Sequence, residues 1–396
     1  MKKFYDNNKE AFVIFGISLL YAFIFGGYTL CNQYLLVLYP EYGIYLSSIL
    51  FCSMFICTLF APYVSYYLMS VKWTVIVGTF GTTFWILTFN LDIPYLIVIA
   101  TILSGIGTGL YRSHQFILIK KLYPANVNRN MTISLSVFNL FGIITTPIIF
   151  IMLFFDISIY NVLKCFTVIV FISQILLMLI EDVKTEKKKI NYLNLLKTKI
   201  WFLLPLSQVQ AINFTTFFVF FPKNVNENFN NSIFLIATLA LVYSFIYPFA
   251  TYLVGILFNK TAYSKRWIYF AISIIFSALI CVIISYILDF YNSNKFYDYI
   301  LICSLGLIYG IYDSIIYTIN MITIAELFDE NIFCIQRIFY CFNVTLFVAF
   351  VKFCPSYVFL GFIIIFNVLS LIGFVLLTST CNEYTNQNKD EYEEII

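Results

Sequence analysis

The stretch GIGTGLYRSHQ, residues 105–115, contains three glycines, of which the outer two are four positions apart, together with an arginine and the only histidine of the chain. Its first five residues have the glycine spacing of a nucleotide-binding loop. Such a loop needs a preceding β-strand within a βαβ unit, whereas this stretch lies inside a long apolar run that predicts a helix. Gly105 and Gly109 therefore predict a face of small residues along which another helix can approach closely.

A second stretch, GLIYGIYDSII at residues 306–316, aligns with the first without gaps. Gly306 and Gly310 repeat the two glycines and predict the same close helix packing. Asp313 stands at the position of Arg112. The two stretches lie in the fourth and the tenth apolar segments of the chain, which is the relation that a duplicated unit of six helices requires.

A second pair of stretches supports the duplication. FAPYVSYYL at residues 60–68 resembles IYPFATYLV at residues 246–254, with Pro62 matching Pro248. These stretches belong to the second and the eighth apolar segments, so the offset is again six segments. The sequence therefore predicts two related halves.

The composition identifies an integral membrane protein. Of the 396 residues, 61% are hydrophobic and 11% are charged, with a mean hydropathy of +0.90, whereas soluble domains carry roughly 25% charged residues. We expect an all-α fold of twelve helices of about 20 residues or more, each long enough to cross a bilayer core of about 30 Å. The predicted segments are 11–36, 44–68, 71–90, 94–119, 129–154, 157–180, 200–222, 231–257, 266–287, 297–323, 332–352 and 356–378.

The longest charged connection, EDVKTEKKKINYLNLLKTK, separates the first six segments from the last six. We therefore predict an N-terminal six-helix bundle over 1–180, a cytoplasmic linker over 181–199, a C-terminal six-helix bundle over 200–380 and an acidic cytoplasmic tail over 381–396. The boundaries follow the ends of the apolar runs.

The distribution of basic residues predicts the orientation. If both termini are cytoplasmic, Lys and Arg fall overwhelmingly in the inner connections, as the positive-inside rule requires. The net charge of +3 is then explained by the basic residues of the cytoplasmic connections, and it gives no reason to expect a nucleic-acid partner. The partner that the composition implies is the lipid bilayer.

The sequence contains no CxxC pair, no cluster of histidine with carboxylates and no nucleophile beside a base. We therefore expect no metal site, no cofactor and no enzymatic activity.

Twelve helices, a charged central connection and a six-plus-six repeat resemble the major facilitator superfamily. That superfamily carries a G-x-x-x-D-R-x-G-R-R-like motif after its second helix, often with a copy after its eighth. The copy is partly present here as GILFNK followed by KR, and the first motif is reduced to MSVKWTVIVG. The residues that retain the motif are Lys72 and Gly78 in the first half, and Gly255, Asn259, Lys260, Lys265 and Arg266 in the second.

Within that superfamily the chain resembles the UNC-ninety-three-like branch, also called ion-channel regulatory proteins. The resemblance is carried by residues 38–87, by the glycine pattern that leads to Gln115, and by residues 305–318. It implies a transporter fold. Because members of that branch are known for regulating a potassium channel and for escorting receptors, it also implies a membrane-protein partner as an alternative.

Charges within membrane helices are costly unless they are paired or hydrated, so they indicate functional sites. The resemblance implies that helices 1, 4, 7 and 10 line a central cavity, which would hold Arg112 and Asp313. Arg112 and Asp313 could form an ion pair in one access state and separate in the other. Alternatively, Asp313 could take up a proton, and the nearby charge of Arg112 or His114 would set the pKa of its carboxyl group. Arg112 could instead snorkel toward the cytosolic face, or the pair could be a static staple, and His114 could be an ordinary hydrogen-bonded residue. Arg337 is expected to snorkel.

Other polar residues on the expected cavity helices are candidates for binding a solute. They are Asn32 and Gln33 in the first segment, Gln115 in the fourth, and Gln210 and Asn213 in the seventh. The last two are three positions apart and can share a helix face. Hydrogen bonding between helices is the alternative role of these groups.

These observations predict secondary transport of a small solute by alternating access, with proton coupling at Asp313 as one reading. The alternative is a non-transporting accessory subunit of an ion channel or a chaperone for receptor trafficking.

Overall fold

The computed structural model describes residues 2–39, 41–89, 91, 93–155, 158–183, 199–228, 232–289, 295–328 and 332–393. Within these ranges the chain forms helices joined by short connections, and they contain no β-strand. Most of the linker predicted over 181–199 lies outside the described residues.

Within the described ranges, twelve helical regions, α1 to α12, follow one another. In the N-terminal half they are α1 Lys2–Leu38, α2 Gly43–Leu68, α3 Val71–Thr88, α4 Pro94–Leu122, α5 in two parts, Val127–Asn139 and Phe141–Phe154, and α6 Ile159–Leu177. In the C-terminal half they are α7 in three parts, Leu204–Thr215, a π-helical turn Thr216–Phe220 and Phe221–Asn228, then α8 Ser232–Lys260, α9 Trp267–Asp289, α10 Lys295–Leu327, α11 Ile332–Phe353 and α12 Ser356–Glu393.

The predicted all-α membrane fold is confirmed. Among the described residues, eleven helices are long and apolar enough to cross a membrane, and α3 is the region that does not qualify. The shortfall has a chemical reason, since α3 is rich in threonine. The buried hydroxyls of Thr74, Thr79 and Thr88 donate to backbone carbonyls of the preceding turn, at 2.8, 2.7 and 2.7 Å, and are thereby satisfied.

The last helix is longer than the sequence predicted. The α12 backbone continues to Glu393, so most of the segment 381–396, which we predicted as an acidic tail, is helical. This segment contains no glycine or proline and several good helix formers.

The connection between α2 and α3 is fixed by its own backbone and by Lys72. Met69 ends α2 in the left-handed region with a φ of 50°, and Ser70 caps α3 by accepting from the Trp73 N–H at 3.0 Å. The Lys72 ammonium donates to the carbonyls of Met178 and Ile180, at 2.9 and 2.6 Å. Lys72 therefore satisfies carbonyls at the end of α6 that have no partner within the helix.

We expect Lys72→Met to lower the free energy of unfolding by about 2 kcal/mol, because two charge-assisted hydrogen bonds are lost while the apolar stem is kept. The measurement is the thermal unfolding midpoint of the detergent-purified protein. Lys260→Met is the matched control, since Lys260 is exposed at the same end of the molecule. Equal midpoints for the two variants would contradict the capping role of Lys72.

Helices α3 and α4 approach each other closely at three glycines. A Cβ atom on Gly107 would lie 2.1 Å from the Gly78 carbonyl oxygen, and one on Gly78 would lie 2.5 Å from the Gly107 oxygen. A Cβ on Gly81 would lie 2.3 Å from the Leu103 oxygen. The obstacles are backbone atoms, so no rotation of a side chain can relieve them. Gly78 of the first motif therefore lies in the α3–α4 contact.

The glycines of the repeated stretches lie at equivalent contacts in the two halves. A Cβ on Gly105 or Gly109 would meet the backbone of α2, at 2.4 Å from the Leu50 oxygen and 2.8 Å from the Met54 oxygen respectively. Gly306 and Gly310 lie against α8 in the same way, with nearest atoms at 3.0 and 3.2 Å. The α2–α4 and α8–α10 pairs thus pack in the same way, through two glycines four positions apart, and the helices approach more closely in the N-terminal pair.

Helices α5 and α8 join the two halves through small and polar residues. Asn259 donates to the Thr132 hydroxyl at 3.2 Å, and a Cβ on Gly255 would lie 2.5 Å from the Thr132 methyl carbon. Further along, Asn139 donates to the Thr251 hydroxyl at 3.3 Å. Two residues of the second motif, Gly255 and Asn259, are therefore part of the contact between the halves.

One end of the molecule is basic, and the halves also meet there. We call it the basic end, because it carries Lys72, Lys120, Lys260, Lys265 and Arg266. The Lys120 ammonium donates to the Phe328 carbonyl at 2.8 Å, and the rings of Phe116 and Phe333 pack with their centroids 5.7 Å apart. These contacts join the end of α4 to the end of α10 and the start of α11.

Arg266 holds α10 at the basic end. Its Nη1 donates to Glu326 Oε2 at 2.7 Å, and its guanidinium carbon lies 4.4 Å from the Phe258 ring centroid. Lys260 and Lys265 are exposed. Of the basic residues in the second motif, Arg266 is therefore the one built into the helix packing.

At the opposite end, α2 and α11 join the halves. The Lys352 ammonium donates to the Tyr45 hydroxyl. Nearer the middle of the same helices, the rings of Phe55 and Phe342 pack with centroids 5.5 Å apart. The halves thus touch toward both ends of the molecule, and the space between these contacts holds the candidate site.

Candidate functional site

A cavity of about 90 Å³ lies between the two halves. A single water needs roughly 10–15 Å³ of such space, so the cavity has room for several waters or for a small solute. Its walls come from α1, α2, α4 and α5 in the N-terminal half and from α7, α8, α10 and α11 in the C-terminal half. Among the described residues, seven phenylalanines and six tyrosines make up thirteen of the 24 that line it.

Arg112 of α4 faces this cavity and is 7% exposed. Its guanidinium carbon lies 4.2 Å from the Phe25 ring centroid and 4.8 Å from that of Phe138, an arrangement that favours a cation electrostatically. Its Nη2 donates to the Tyr317 hydroxyl at 3.4 Å. The side chain is thus held in the cavity by α1, α5 and α10, and it does not snorkel to the basic end.

Asp313 of α10 faces the same cavity. Its Oδ2 accepts from the Tyr243 hydroxyl at 2.8 Å, and its Oδ1 accepts from Asn213 Nδ2 at 3.4 Å. Arg112 and Asp313, which the repeat places at equivalent positions, therefore share one cavity. Within the described residues they form no ion pair, so this conformation has neither the static staple nor the closed pair that we considered.

Gln210 and Asn213 of α7 also line the cavity and connect helices. Gln210 Oε1 accepts from Asn320 at 3.0 Å and from Gln336 at 2.7 Å, which ties α7 to α10 and α11. The backbone carbonyl of Asn213 accepts from the Tyr309 hydroxyl. Both roles considered from the sequence, facing the cavity and bonding between helices, thus occur in the same side chains.

A π-helical turn, Thr216–Phe220, follows Asn213 within α7. Phe217 and Phe218 of this turn both line the cavity, although they are adjacent in sequence. The wider turn adds a residue to the helix wall at this point, and such turns often occur at functional sites.

Other candidates lie away from the cavity. His114 of α4 is buried, and its Nδ1 lies 2.9 Å from the carbonyl oxygen of Leu110 in the same helix. Asn32 of α1 donates to the carbonyl oxygen of Tyr28, also in its own helix, at 3.1 Å. Gln115 is buried, and its Oε1 has no hydrogen-bond partner among the described residues. The side chain of Gln33 lies outside the described part of the chain. Also within the described residues, no group of three His, Cys, Asp or Glu side chains could hold a metal ion.

The structure adds a second cavity arginine that we had expected to snorkel. Arg337 of α11 is 8% exposed, its guanidinium carbon lies 4.3 Å from the Tyr340 ring centroid, and its Nη2 lies 3.5 Å from the Met54 sulfur. Arg337 has no repeat counterpart in the matched stretches. Its position only a few residues into α11 favoured snorkelling, so the sequence did not identify Arg337 as a cavity residue.

Residues 11–332 match the family model described as Major Facilitator Superfamily. The matched range includes most of α1 and all of α2 to α10, and with them every described cavity-lining residue except Arg337 and Tyr340. A comparison with curated proteins found no match.

Proposed function

The chain belongs to the Major Facilitator Superfamily, and on that premise we propose that it is a secondary transporter that moves a small solute by alternating access. The observation that carries the proposal is the cavity between the halves, with Arg112 and Asp313 contributed from equivalent positions of a repeated sequence. A charged cavity between two related bundles is what a carrier needs, because rocking one bundle against the other can expose the site to either side.

The two bundles that would move are the ones predicted over 1–180 and 200–380. We propose that both termini are cytoplasmic, as the basic end indicates. In this scheme the Lys120–Phe328 and Asn259–Thr132 contacts hold the cytoplasmic side closed, and they break when the cavity opens to the cytoplasm. The Lys352–Tyr45 contact is the corresponding closure on the outer side.

We further propose that Asp313 couples transport to a proton. Its carboxylate accepts from Tyr243 and Asn213 and is not neutralised by an ion pair with Arg112. These neutral partners can accommodate both charge states, because a hydroxyl and an amide each carry a donor and an acceptor. A protonated Asp313 can then alternate with an ionised one as the cavity changes sides.

Membership of the UNC-ninety-three-like branch is a further part of the proposal, and it rests on the sequence resemblance over residues 38–87 and 305–318. It retains the alternative of an accessory protein that binds a channel or receptor. An accessory role would require neither alternating exposure of the cavity nor solute flux.

Side-specific labelling of a cavity cysteine tests alternating access. Ser244 lines the cavity, so we expect Ser244→Cys in sealed vesicles to react with membrane-impermeant thiol reagents applied to either side, above the labelling of the unmodified chain. Ser277→Cys is the control, because Ser277 is buried outside the cavity and donates to its own helix at 2.8 Å.

The companion measurement is uptake by proteoliposomes from mixtures of amino acids, sugars, nucleosides and carboxylates. Labelling from one side alone, together with no uptake by folded protein, would refute the transporter proposal and favour the accessory role.

A further inference from the structure

The cavity contains more positive than negative side chains. Arg112 comes from the N-terminal half and Arg337 from the C-terminal half, and both line the same cavity as Tyr317, whose hydroxyl accepts from Arg112. Asp313 is the one carboxylate among the described residues that line the cavity. Because Arg side chains stay protonated, two positive charges face at most one negative charge.

The arginine donors are not satisfied by the protein. Nε and Nη1 of Arg112 and Nε of Arg337 are buried without a hydrogen-bond partner among the described residues. The partners that the other nitrogens have are weak, namely a hydroxyl at 3.4 Å and a thioether sulfur at 3.5 Å. Buried unpaired donors on a charged group carry a large free-energy cost. A bound anion would supply the missing acceptors, since guanidinium groups bind carboxylates strongly.

Asp313 does not meet this need in the observed arrangement, because its carboxylate accepts from Tyr243 and Asn213 and no ion pair links it to Arg112 or Arg337. Among the described residues, no second carboxylate lines the cavity. The acceptor therefore comes from outside the protein, and an anion binds a guanidinium more strongly than water does because the hydrogen bond is charge-assisted on both sides.

The lining also restricts the rest of the solute. Thirteen of the 24 described lining residues are Phe or Tyr, and Leu, Ile and Val do not occur among them. Aromatic rings stack on flat groups and also attract cations. Two arginines in the same cavity oppose a cation, so the walls favour a flat, uncharged body.

Resting on the proposed transport function, we propose that the solute is a small organic anion in which a carboxylate binds Arg112 and Arg337 and a flat apolar body packs against the aromatic walls. Arg112 provides the larger share, because two of its nitrogens are unpaired. Asp313 remains beside this site as the proton-binding group of the proposed mechanism.

A series of ligands with the same ring and different charge tests the inference. Thermal unfolding of the purified full-length protein is followed with benzoate, benzamide and benzylamine, and with acetate and inorganic phosphate as anions without a flat body. We expect benzoate at saturation to raise the midpoint by about 2–4 °C, with the other four compounds giving clearly smaller shifts. If benzamide, benzylamine, acetate or phosphate stabilises the protein as much as benzoate, or if benzoate has no effect, the inference is wrong.

Arginine variants locate the site. Arg112→Gln and Arg337→Gln are expected to weaken benzoate binding by about tenfold or more, while Arg112→Lys keeps the charge and loses less. Arg129→Gln removes an exposed arginine outside the cavity and should bind as the unmodified chain does. The readout is the difference between the benzoate and benzamide shifts within each variant, so an altered stability of the ligand-free variant does not obscure it. Unchanged benzoate binding in both cavity variants would overturn the assignment.

This binding assay does not depend on transport. Benzoate protection without any solute flux would support the anion site and refute the transporter proposal. Flux of a sugar or a cation without stabilisation by benzoate would support the transporter proposal and refute the anion site.

Discussion

Gly107→Ala is expected to prevent most of the protein from accumulating in a folded state. The added methyl would lie 2.1 Å from the Gly78 carbonyl oxygen and 3.2 Å from the Gly81 Cα, so α3 and α4 would have to move apart along their contact. Inserting a methyl into a packed interior costs about 1–3 kcal/mol and occasionally more. We expect a cost above about 3 kcal/mol here, because the obstacle is backbone and cannot rotate away.

The measurement is the yield and thermal midpoint of monodisperse protein after detergent extraction. Gly361→Ala and Gly16→Ala are matched controls, since nothing lies within 4 Å of a Cβ atom at either position. The controls should be unchanged or slightly stabilised, because alanine favours a helix over glycine by about 1 kcal/mol. If Gly107→Ala were as stable as Gly361→Ala, the close α3–α4 contact would be refuted.

The repeated glycines provide a graded comparison within the same experiment. Gly105→Ala should cost more than Gly306→Ala, because the nearest atom is a backbone oxygen at 2.4 Å in the first case and a side-chain carbon at 3.0 Å in the second. The reverse order would contradict the tighter packing of the N-terminal half.

Asp313→Asn is expected to abolish accumulation of solute against its gradient. Asparagine has nearly the same shape and can keep hydrogen bonds to Tyr243 and Asn213, but it cannot bind and release a proton. With an imposed gradient of one pH unit, the ratio of internal to external solute in proteoliposomes should fall to about one, from about ten where one proton moves with each solute, because one pH unit corresponds to about 1.4 kcal/mol. Exchange of solute across the membrane without a gradient should persist, because it needs no net movement of protons.

Glu41→Gln is the control for loss of a carboxylate, since Glu41 is exposed in the connection before α2 and outside the cavity. Accumulation by Asp313→Asn at the level of the unmodified protein would refute proton coupling at this residue. Loss of both accumulation and exchange would instead assign Asp313 to binding or folding.

The sequence predicted the fold and part of the cavity because both depend on patterns that persist along the chain. Apolar runs separated by charged connections predict the helices, and the match of Gly105 and Gly109 with Gly306 and Gly310 predicts which helices correspond. The same alignment placed Arg112 and Asp313 at equivalent depths, and the structure has both in one cavity.

The remainder could not be predicted, because the face of a helix that meets its neighbours depends on tertiary packing. His114 is two residues from Arg112, or about 200° around the helix, and it bonds to its own helix away from the cavity. The side chain of Arg337 could extend toward the end of the helix or into the cavity, and the sequence does not show how α11 packs against α2, which decides between the two. The aromatic walls were equally hidden, since Phe and Tyr are abundant throughout the chain.

The threonine-rich character of α3 has a consequence for how the protein is made. Among the described residues, α3 is the helical region that is not long and apolar enough to count as a membrane span, so a solitary α3 gains less from entering lipid than a fully apolar helix does. Its tight glycine contact with α4 offers compensation, because the pair can bury polar atoms that a solitary α3 would expose to lipid. We therefore expect α3 and α4 to leave the translocon as a hairpin. Gly78 and Gly107 would then be needed already during membrane insertion, when α3 and α4 first pack together, and not only in the folded protein.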